Sequence, residues 1–143
     1  MIRILSTMKL HKEDNKPVQI IENLFIGSFA AAGNKEALQA NNITHIVVAA
    51  SGHQQKFPDN FKYMTLTILD SPEEDIKKYF DETGVFIDEC IKSNGSALVH
   101  CHAGISRSSS VILAYMIKYK KMKFEDALAL AKSKREKINP NQG

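Results

Sequence analysis

The sequence lacks the features of a secreted or membrane-anchored protein. Its two cysteines, Cys90 and Cys101, are too few for the disulfide framework of a small secreted domain. The apolar stretch at 1–8 is too short and too broken for a signal peptide. No run approaches the roughly 18 apolar residues of a membrane span, and Ile2 excludes N-myristoylation, which requires glycine there. We therefore expect a soluble protein of the cytoplasm, with the nucleus left open as a second location.

The chain also lacks a strong charge of one sign. Its net charge is +3, from 19 basic and 16 acidic residues, which suits an anionic partner but falls short of the dense basic stripe of a nucleic-acid-binding protein. The segment 118–137 holds eight basic residues against three acidic ones. That segment is either a solvated face or a surface that steers phosphorylated partners. No nucleic-acid partner is expected.

With 143 residues, 43% of them hydrophobic, the chain has the size of one domain and is too short for a two-lobed kinase. Residues 1–16 are polar and without pattern, and predict a loosely held arm before one domain at 17–143. Strand-like runs alternate with helical patterns. The strands are predicted at 18–21, 24–26, 43–49, 61–69 and 97–99. The helices are predicted from about 34, from 71, at 111–117 and at 123–137. This alternation predicts an α/β fold with a central, mostly parallel sheet flanked by helices.

The expected burial differs between the last two helices. The segment 111–117 is apolar on every side, which predicts a central, buried helix. The final helix is amphipathic, and its expected inward-facing residues are Phe124, Ala127, Leu128, Leu130 and Ala131.

The segment 99–108, Val-His-Cys-His-Ala-Gly-Ile-Ser-Arg-Ser, carries the chemistry. It lies between a buried strand and a buried helix, at the sheet edge where open α/β folds bind ligands. Free backbone N–H groups, the positive end of the following helix and the turn allowed by Gly104 make such a loop suited to an anion. Arg107 adds a forked donor that matches two phosphate oxygens. The segment therefore predicts a phosphate-binding loop.

Cys101 lies at the start of this loop. Thiols at helix N-termini or beside cations have pKa values as low as about 3.5–7.5, so we expect an ionised, nucleophilic sulfur at neutral pH. A thiolate beside a bound phosphate and an arginine predicts nucleophilic displacement at phosphorus.

The segment His-Cys-x5-Arg-Ser at 100–108 resembles the signature of the cysteine-dependent protein phosphatases, and in its particular form that of the small, atypical dual-specificity phosphatases. The resemblance extends from about Pro17 to Gly143. It includes the segments 23–28 (Asn-Leu-Phe-Ile-Gly-Ser), 42–47 (Asn-Ile-Thr-His-Ile-Val), 69–71 (Leu-Asp-Ser) and 139–141 (Asn-Pro-Asn). The family usually continues into one more helix, so a domain that ends at Gly143 is either trimmed or a naturally short member.

The resemblance implies a role for each matching residue. Cys101 forms a phosphocysteine intermediate, and Asp70 acts as general acid and then as base. Ser108 stabilises the departing thiolate, and His100 orients the loop without acting as a base. The phosphate oxygens are held by Arg107 and by the backbone amides of the loop, at His102, Ala103, Gly104, Ile105, Ser106 and Arg107. No cofactor or metal is implied.

Several of these residues have a second interpretation. Asp70 is alternatively a capping residue before the helix that begins at Ser71. His100, Cys101 and His102 are adjacent in sequence, which makes a zinc site unfavourable. Cys90 is expected in the core, although a protective disulfide with Cys101 under oxidation stays open.

The expected activity is hydrolysis of phosphotyrosine and of phosphoserine or phosphothreonine. The chain lacks the added segment that deepens the pocket of the longer tyrosine-specific enzymes, so the resemblance implies a shallow pocket. Its substrates are then phosphorylated proteins, protein kinases among them, and the protein is expected to be a monomer. The alternatives are a phosphoinositide phosphatase, disfavoured because the loop has no lysine, and a catalytically weak phosphoprotein-binding module, disfavoured because cysteine, arginine and acid are all present.

Overall fold

The computed structural model describes residues 15–49, 55–66, 79–101 and 107–134. Within these ranges five strands alternate with helices. The strands are β1 (Val18–Ile21), β2 (Leu24–Gly27), β3 (Ile43–Val48), β4 (Lys62–Thr65) and β5 (Ser96–His100). The helices are α1 (Phe29–Ala32), α2 (Lys35–Ala40), α3 (Phe80–Lys92), α4 (Arg107–Tyr119) and α5 (Phe124–Lys134).

The five strands form one sheet in the order β1-β2-β5-β3-β4. β1 and β2 form an antiparallel hairpin, whereas the β2–β5, β5–β3 and β3–β4 pairs are parallel. Asn23, in the hairpin turn, has a φ of 68°, a left-handed conformation that asparagine tolerates better than most residues. The mostly parallel sheet predicted from the sequence is confirmed, and β5 is its central strand.

Side chains of β5 alternate between two hydrophobic clusters, one on each face of the sheet. Ala97 and Val99 pack in the cluster that includes Ile87 of α3 and Met116 of α4. Leu98 packs in the other, which includes Leu38 of α2. This period of two is what an extended strand requires when both of its faces are covered.

The structure corrects two expectations about the helices. Phe124 is 50% exposed and Ile117 is 39% exposed, although both were predicted to face the core. Phe124 begins α5 and Ile117 lies in the last turn of α4. The inward face of α5 instead consists of the fully buried Ala127 and Ala131, with Leu128 and Leu130 partly buried.

The boundaries of β1, β2, β3 and β5 agree with the sequence to within one residue, whereas α4 is longer than the predicted 111–117 and α1 was not predicted. Asn34 caps α2, its side chain accepting a hydrogen bond from the amide of Ala37. α3 ends at Lys92, shortly before Asn94, whose φ is 66°. The strand expected at 61–69 extends over Lys62–Thr65, and its last three residues lie outside the described ranges. The helix start at Ser71, most of the arm at 1–16 and the end of the last helix also lie outside them, so the division at residue 17 stays a prediction. No helix within these ranges is long and apolar enough to cross a membrane.

Candidate active site

Four strand residues form one row across the sheet at its carboxyl edge. Gly27 of β2 pairs with His100 of β5, His100 with Val48 of β3, and Val48 with Thr65 of β4. Cys101 follows His100 directly, and α4 begins at Arg107. The predicted loop therefore begins and ends at the carboxyl edge of the central strand, where ligands bind in open α/β sheets.

Cys101 and Ser108 are brought together at this edge. Both residues are buried, 2% and 0% exposed, and the Cys101 Sγ lies 3.4 Å from the Ser108 Oγ. Ser108 is the second residue of α4, so the helix fixes where its hydroxyl points. A hydroxyl can donate a hydrogen bond to a thiolate, and this arrangement can therefore stabilise negative charge on the sulfur.

His100 is held in place by its strand. It is 2% exposed, and its backbone carbonyl accepts a 2.8 Å hydrogen bond from the amide of Ala49. Its Nδ1 lies 3.4 Å from the carbonyl oxygen of Cys101. The imidazole thus lies against the backbone of the cysteine, a geometry suited to orienting the loop.

Arg107 is the first residue of α4 and is partly buried. Its Nε is fully buried and has no hydrogen-bond partner within the described ranges. A buried donor without a partner costs roughly 1–3 kcal/mol, and a cation at a helix N-terminus opposes the helix dipole. Both costs are relieved when an anion binds, so Arg107 fits a phosphate-binding role.

The remaining predicted site residues lie outside the described ranges. These are Asp70, His102, Ala103, Gly104, Ile105 and Ser106. Their roles as general acid and as phosphate-binding backbone stay predictions. The structure places the other four, Cys101, Arg107, Ser108 and His100, at one end of β5 and the start of α4.

Cys90 differs from Cys101 in its surroundings. It is buried in α3, and its Sγ lies 3.4 Å from the hydroxyl oxygen of Thr44. Burial raises the pKa of the Cys90 thiol, which the hydrogen bond with Thr44 only partly offsets. Neither cysteine forms a disulfide in the structure. Cys90 is therefore a core residue, as the sequence predicted, and a poor nucleophile.

No group of three or more His, Cys, Asp or Glu side chains within the described ranges could hold a metal ion.

Two side chains near the site carry no signal in the sequence. Phe29 and Lys56 contact each other near the carboxyl edge of the sheet, the Lys56 Nζ being 3.7 Å from the centre of the Phe29 ring. The two residues are far apart in the sequence, and no local pattern links them.

Comparison with known proteins agrees with this geometry. Residues 24–143 match the family model described as "Dual specificity phosphatase, catalytic domain". The chain is 39% identical to dual specificity protein phosphatase 1 of Arabidopsis thaliana over 143 residues, which cover all of this chain and 72% of the relative. It is 42% identical to dual specificity protein phosphatase 1B of the same plant over 125 residues, covering 87% of this chain and 75% of the relative.

The fold matches solved structures as well. The crystal structure of the human tyrosine phosphatase-like serine/threonine/tyrosine-interacting protein superposes with a TM-score of 0.85 at 35% sequence identity. The match covers 90% of this chain and 89% of that one.

Proposed function

The chain belongs to the dual-specificity phosphatase family and is a cysteine-dependent protein phosphatase, and we propose that it hydrolyses phosphotyrosine and phosphoserine or phosphothreonine through a phosphocysteine intermediate at Cys101. The observation that carries this proposal is the cluster of three groups at the start of α4. The Cys101 sulfur lies 3.4 Å from the Ser108 hydroxyl. The Nε of Arg107, for which the described part of the chain offers no hydrogen-bond partner, lies on the same helix turn as Ser108.

The first step transfers the phosphoryl group to the enzyme. The Cys101 thiolate attacks phosphorus and forms the S–P bond as the bond from phosphorus to the substrate oxygen breaks. Arg107 and the loop amides hold the nonbridging oxygens, where they stabilise the charge of the transition state. Asp70 donates its proton to the leaving oxygen, so that a neutral alcohol or phenol departs.

The second step returns the enzyme to its starting state. The Asp70 carboxylate takes a proton from a water molecule, whose oxygen attacks phosphorus and breaks the S–P bond. Inorganic phosphate leaves, and the electron pair of that bond returns to the Cys101 sulfur. The Ser108 hydroxyl is close enough to donate a hydrogen bond to the returning thiolate, which makes the sulfur a better leaving group.

The substrates are phosphorylated proteins. We propose a pocket shallow enough for phosphoserine and phosphothreonine as well as phosphotyrosine, as membership of the dual-specificity family implies. Its monomeric state, its cytoplasmic or nuclear location and protein kinases as substrates stay predictions from the sequence.

A substrate panel tests this proposal. Phosphotyrosine, phosphoserine and phosphothreonine peptides are compared with phosphoinositides, with Cys101→Ser as the blank. We expect phosphate release from the peptides and none from the blank. Preferential turnover of phosphoinositides would assign a lipid substrate instead, and binding of phosphopeptides with no turnover would make the protein a phosphoprotein-binding module.

A further inference from the structure

A lysine and a phenylalanine form an exposed cation–π pair beside the candidate active site. The Lys56 Nζ lies 3.7 Å from the centre of the Phe29 ring. Lys56 is exposed, and Phe29 is one of the few large apolar side chains that are also exposed, at 38%. No carboxylate of the described ranges pairs with Lys56.

The row of paired strand residues places this pair near Cys101. Phe29 comes two residues after Gly27, and Cys101 comes one residue after His100, the partner of Gly27 in the parallel pair. Neighbouring strands are about 4.8 Å apart, and a strand rises about 3.3 Å per residue. Because consecutive Cα atoms are about 3.8 Å apart, the backbones of Phe29 and Cys101 lie within about 16 Å of each other at the same edge of the sheet.

The segment that carries Lys56 is fastened to this edge. The Gln55 side-chain amide donates a 3.2 Å hydrogen bond to the Thr65 hydroxyl, and Thr65 belongs to the row. The backbone amide of Phe57 donates a 3.0 Å hydrogen bond to the Tyr63 hydroxyl. Lys56 is thus held on both sides by bonds to β4.

The lysine side chain is also oriented. A Cβ added at Gly33 would lie 3.0 Å from the Lys56 Nζ and 3.3 Å from its Cδ, so the side chain extends across the backbone that follows α1. Cation–π attraction to Phe29 favours this conformation. The ammonium group therefore has a preferred position before any ligand binds, which lowers the entropy cost of binding.

We propose that Lys56, oriented by Phe29, is a specificity-determining residue that binds an anionic side chain of the phosphoprotein substrate. The bound group is the carboxylate of Asp or Glu, or a second phosphoryl group, within about five residues of the residue that is dephosphorylated. This limit follows from the separation of at most about 16 Å and from an extended chain of about 3.3–3.6 Å per residue. The inference rests on the proposed function, because it concerns the substrates of the same site.

The expected effect is modest. Exposed ion pairs contribute little, which corresponds to about a 2- to 5-fold preference in kcat/KM for an acidic peptide over a neutral one. A phosphorylated neighbour carries a charge of about −1.5 to −2 and gives a larger preference. Because the pair is exposed, the preference decreases as ionic strength rises.

The experiment compares three phosphotyrosine peptides that differ at a single position, and this position is varied from about one to five residues from the phosphotyrosine. One carries Glu there, one Gln and one phosphoserine, and kcat/KM for phosphotyrosine hydrolysis is measured for each at low and high ionic strength. The readout is the ratio to the Gln peptide within one variant, so that a general change of activity cancels. Two sets, with the change before and after the phosphotyrosine, cover both chain directions.

Lys62→Gln is the matched control. Lys62 is exposed, and its replacement by Gln removes the same charge as Lys56→Gln. Lys62 begins β4, where it pairs with His45, and therefore lies at the opposite end of that strand from Thr65. We expect Lys56→Gln to bring the Glu-to-Gln ratio close to 1 and Lys62→Gln to leave it unchanged. Lys56→Glu should reverse the preference and favour a peptide with Lys at the same position.

The outcomes separate the two proposals. Turnover of peptides with the same ratio in wild type, Lys56→Gln and Lys62→Gln would overturn the role of Lys56 and leave the proposed function intact. No turnover of any peptide or of a small aryl phosphate by the wild type would overturn both. A preference only for the phosphoserine peptide would identify a second phosphoryl group as the anion. A preference for both peptides, larger for phosphoserine, would identify negative charge alone.

Discussion

Replacing Arg107 with methionine should abolish catalysis without destabilising the protein. The Arg107 Nε is buried without a partner within the described ranges, a cost of roughly 1–3 kcal/mol. The residue also places a positive charge at the first position of α4, where the helix dipole makes it unfavourable by about 0.3–1 kcal/mol. Methionine removes both costs and keeps a flexible apolar stem that can fill the same space.

We therefore expect the free energy of unfolding of Arg107→Met, measured by urea titration without phosphate, to equal that of the wild type or to exceed it by about 1 kcal/mol. The gain is smaller than the full cost of the buried donor because relaxation of the wild-type structure already recovers part of that cost. Inorganic phosphate should stabilise the wild type by mass action and leave the variant unchanged. In the same preparations kcat should fall by at least about 10²–10³-fold, the usual cost of losing one donor to a transition-state oxyanion.

Arg107→Lys is the matched control, because it keeps the charge and loses the fork of donors. It should bind phosphate more weakly than the wild type and more tightly than Arg107→Met. A loss of more than about 1 kcal/mol in phosphate-free Arg107→Met would show that the arginine supports the fold. Phosphate stabilisation of that variant equal to the wild type would show that the guanidinium does not contact the anion.

Three further predictions concern the acid, a helix contact and a buried phenol. Asp70→Asn should lower kcat by about 10²–10⁴-fold on phosphotyrosine peptides, in line with general acid catalysis, and much less on aryl phosphates with acidic leaving groups; an equal loss on both would indicate a structural role. Gly84→Ala should lower the free energy of unfolding by about 1 kcal/mol, because the added Cβ would lie 2.8 Å from the Tyr119 ring, and overpacking outweighs the gain in helix propensity. A gain in stability would contradict this contact. Burial raises the pKa of Tyr115 to about 12, so its contribution to stability is complete below pH 10 and is lost between about pH 10 and 12, as the unfolded chain ionises first. Tyr115→Phe should flatten that part of a stability–pH curve. An unchanged curve would show that ionisation of Tyr115 does not cause the loss of stability.

The strongest sequence patterns predicted the fold because each is local. The apolar run that became β5 and the apolar segment of α4 require cover on most of their surface. A central strand and a central helix receive it, except at Ile117 near the end of α4. The position of Cys101 between them follows directly. The order of the strands could not be predicted in this way, because it depends on contacts between distant segments.

Features that depend on contacts between distant segments could not be predicted for the same reason. The packing role of Gly84 shows this dependence, because it makes room for Tyr119 of α4, a contact that α3 alone cannot reveal. Phe124 was assigned to the core by its spacing, yet it lies at the start of α5 and is half exposed. The Lys56–Phe29 pair likewise depends on tertiary structure, because it joins the segment before β4 to α1.

The covalent role of Cys101 is tested most directly by trapping the intermediate. The enzyme is mixed with a phosphotyrosine peptide, quenched within the first turnover, digested and analysed by mass spectrometry. Ser108→Ala should increase the trapped fraction, because the sulfur loses the hydroxyl 3.4 Å away that stabilises its departure. Cys90→Ala should trap normally, and Cys101→Ser should trap nothing. The account predicts one phosphoryl group on the peptide that contains Cys101. Full turnover with no such species, or a phosphoryl group on another residue, would contradict it.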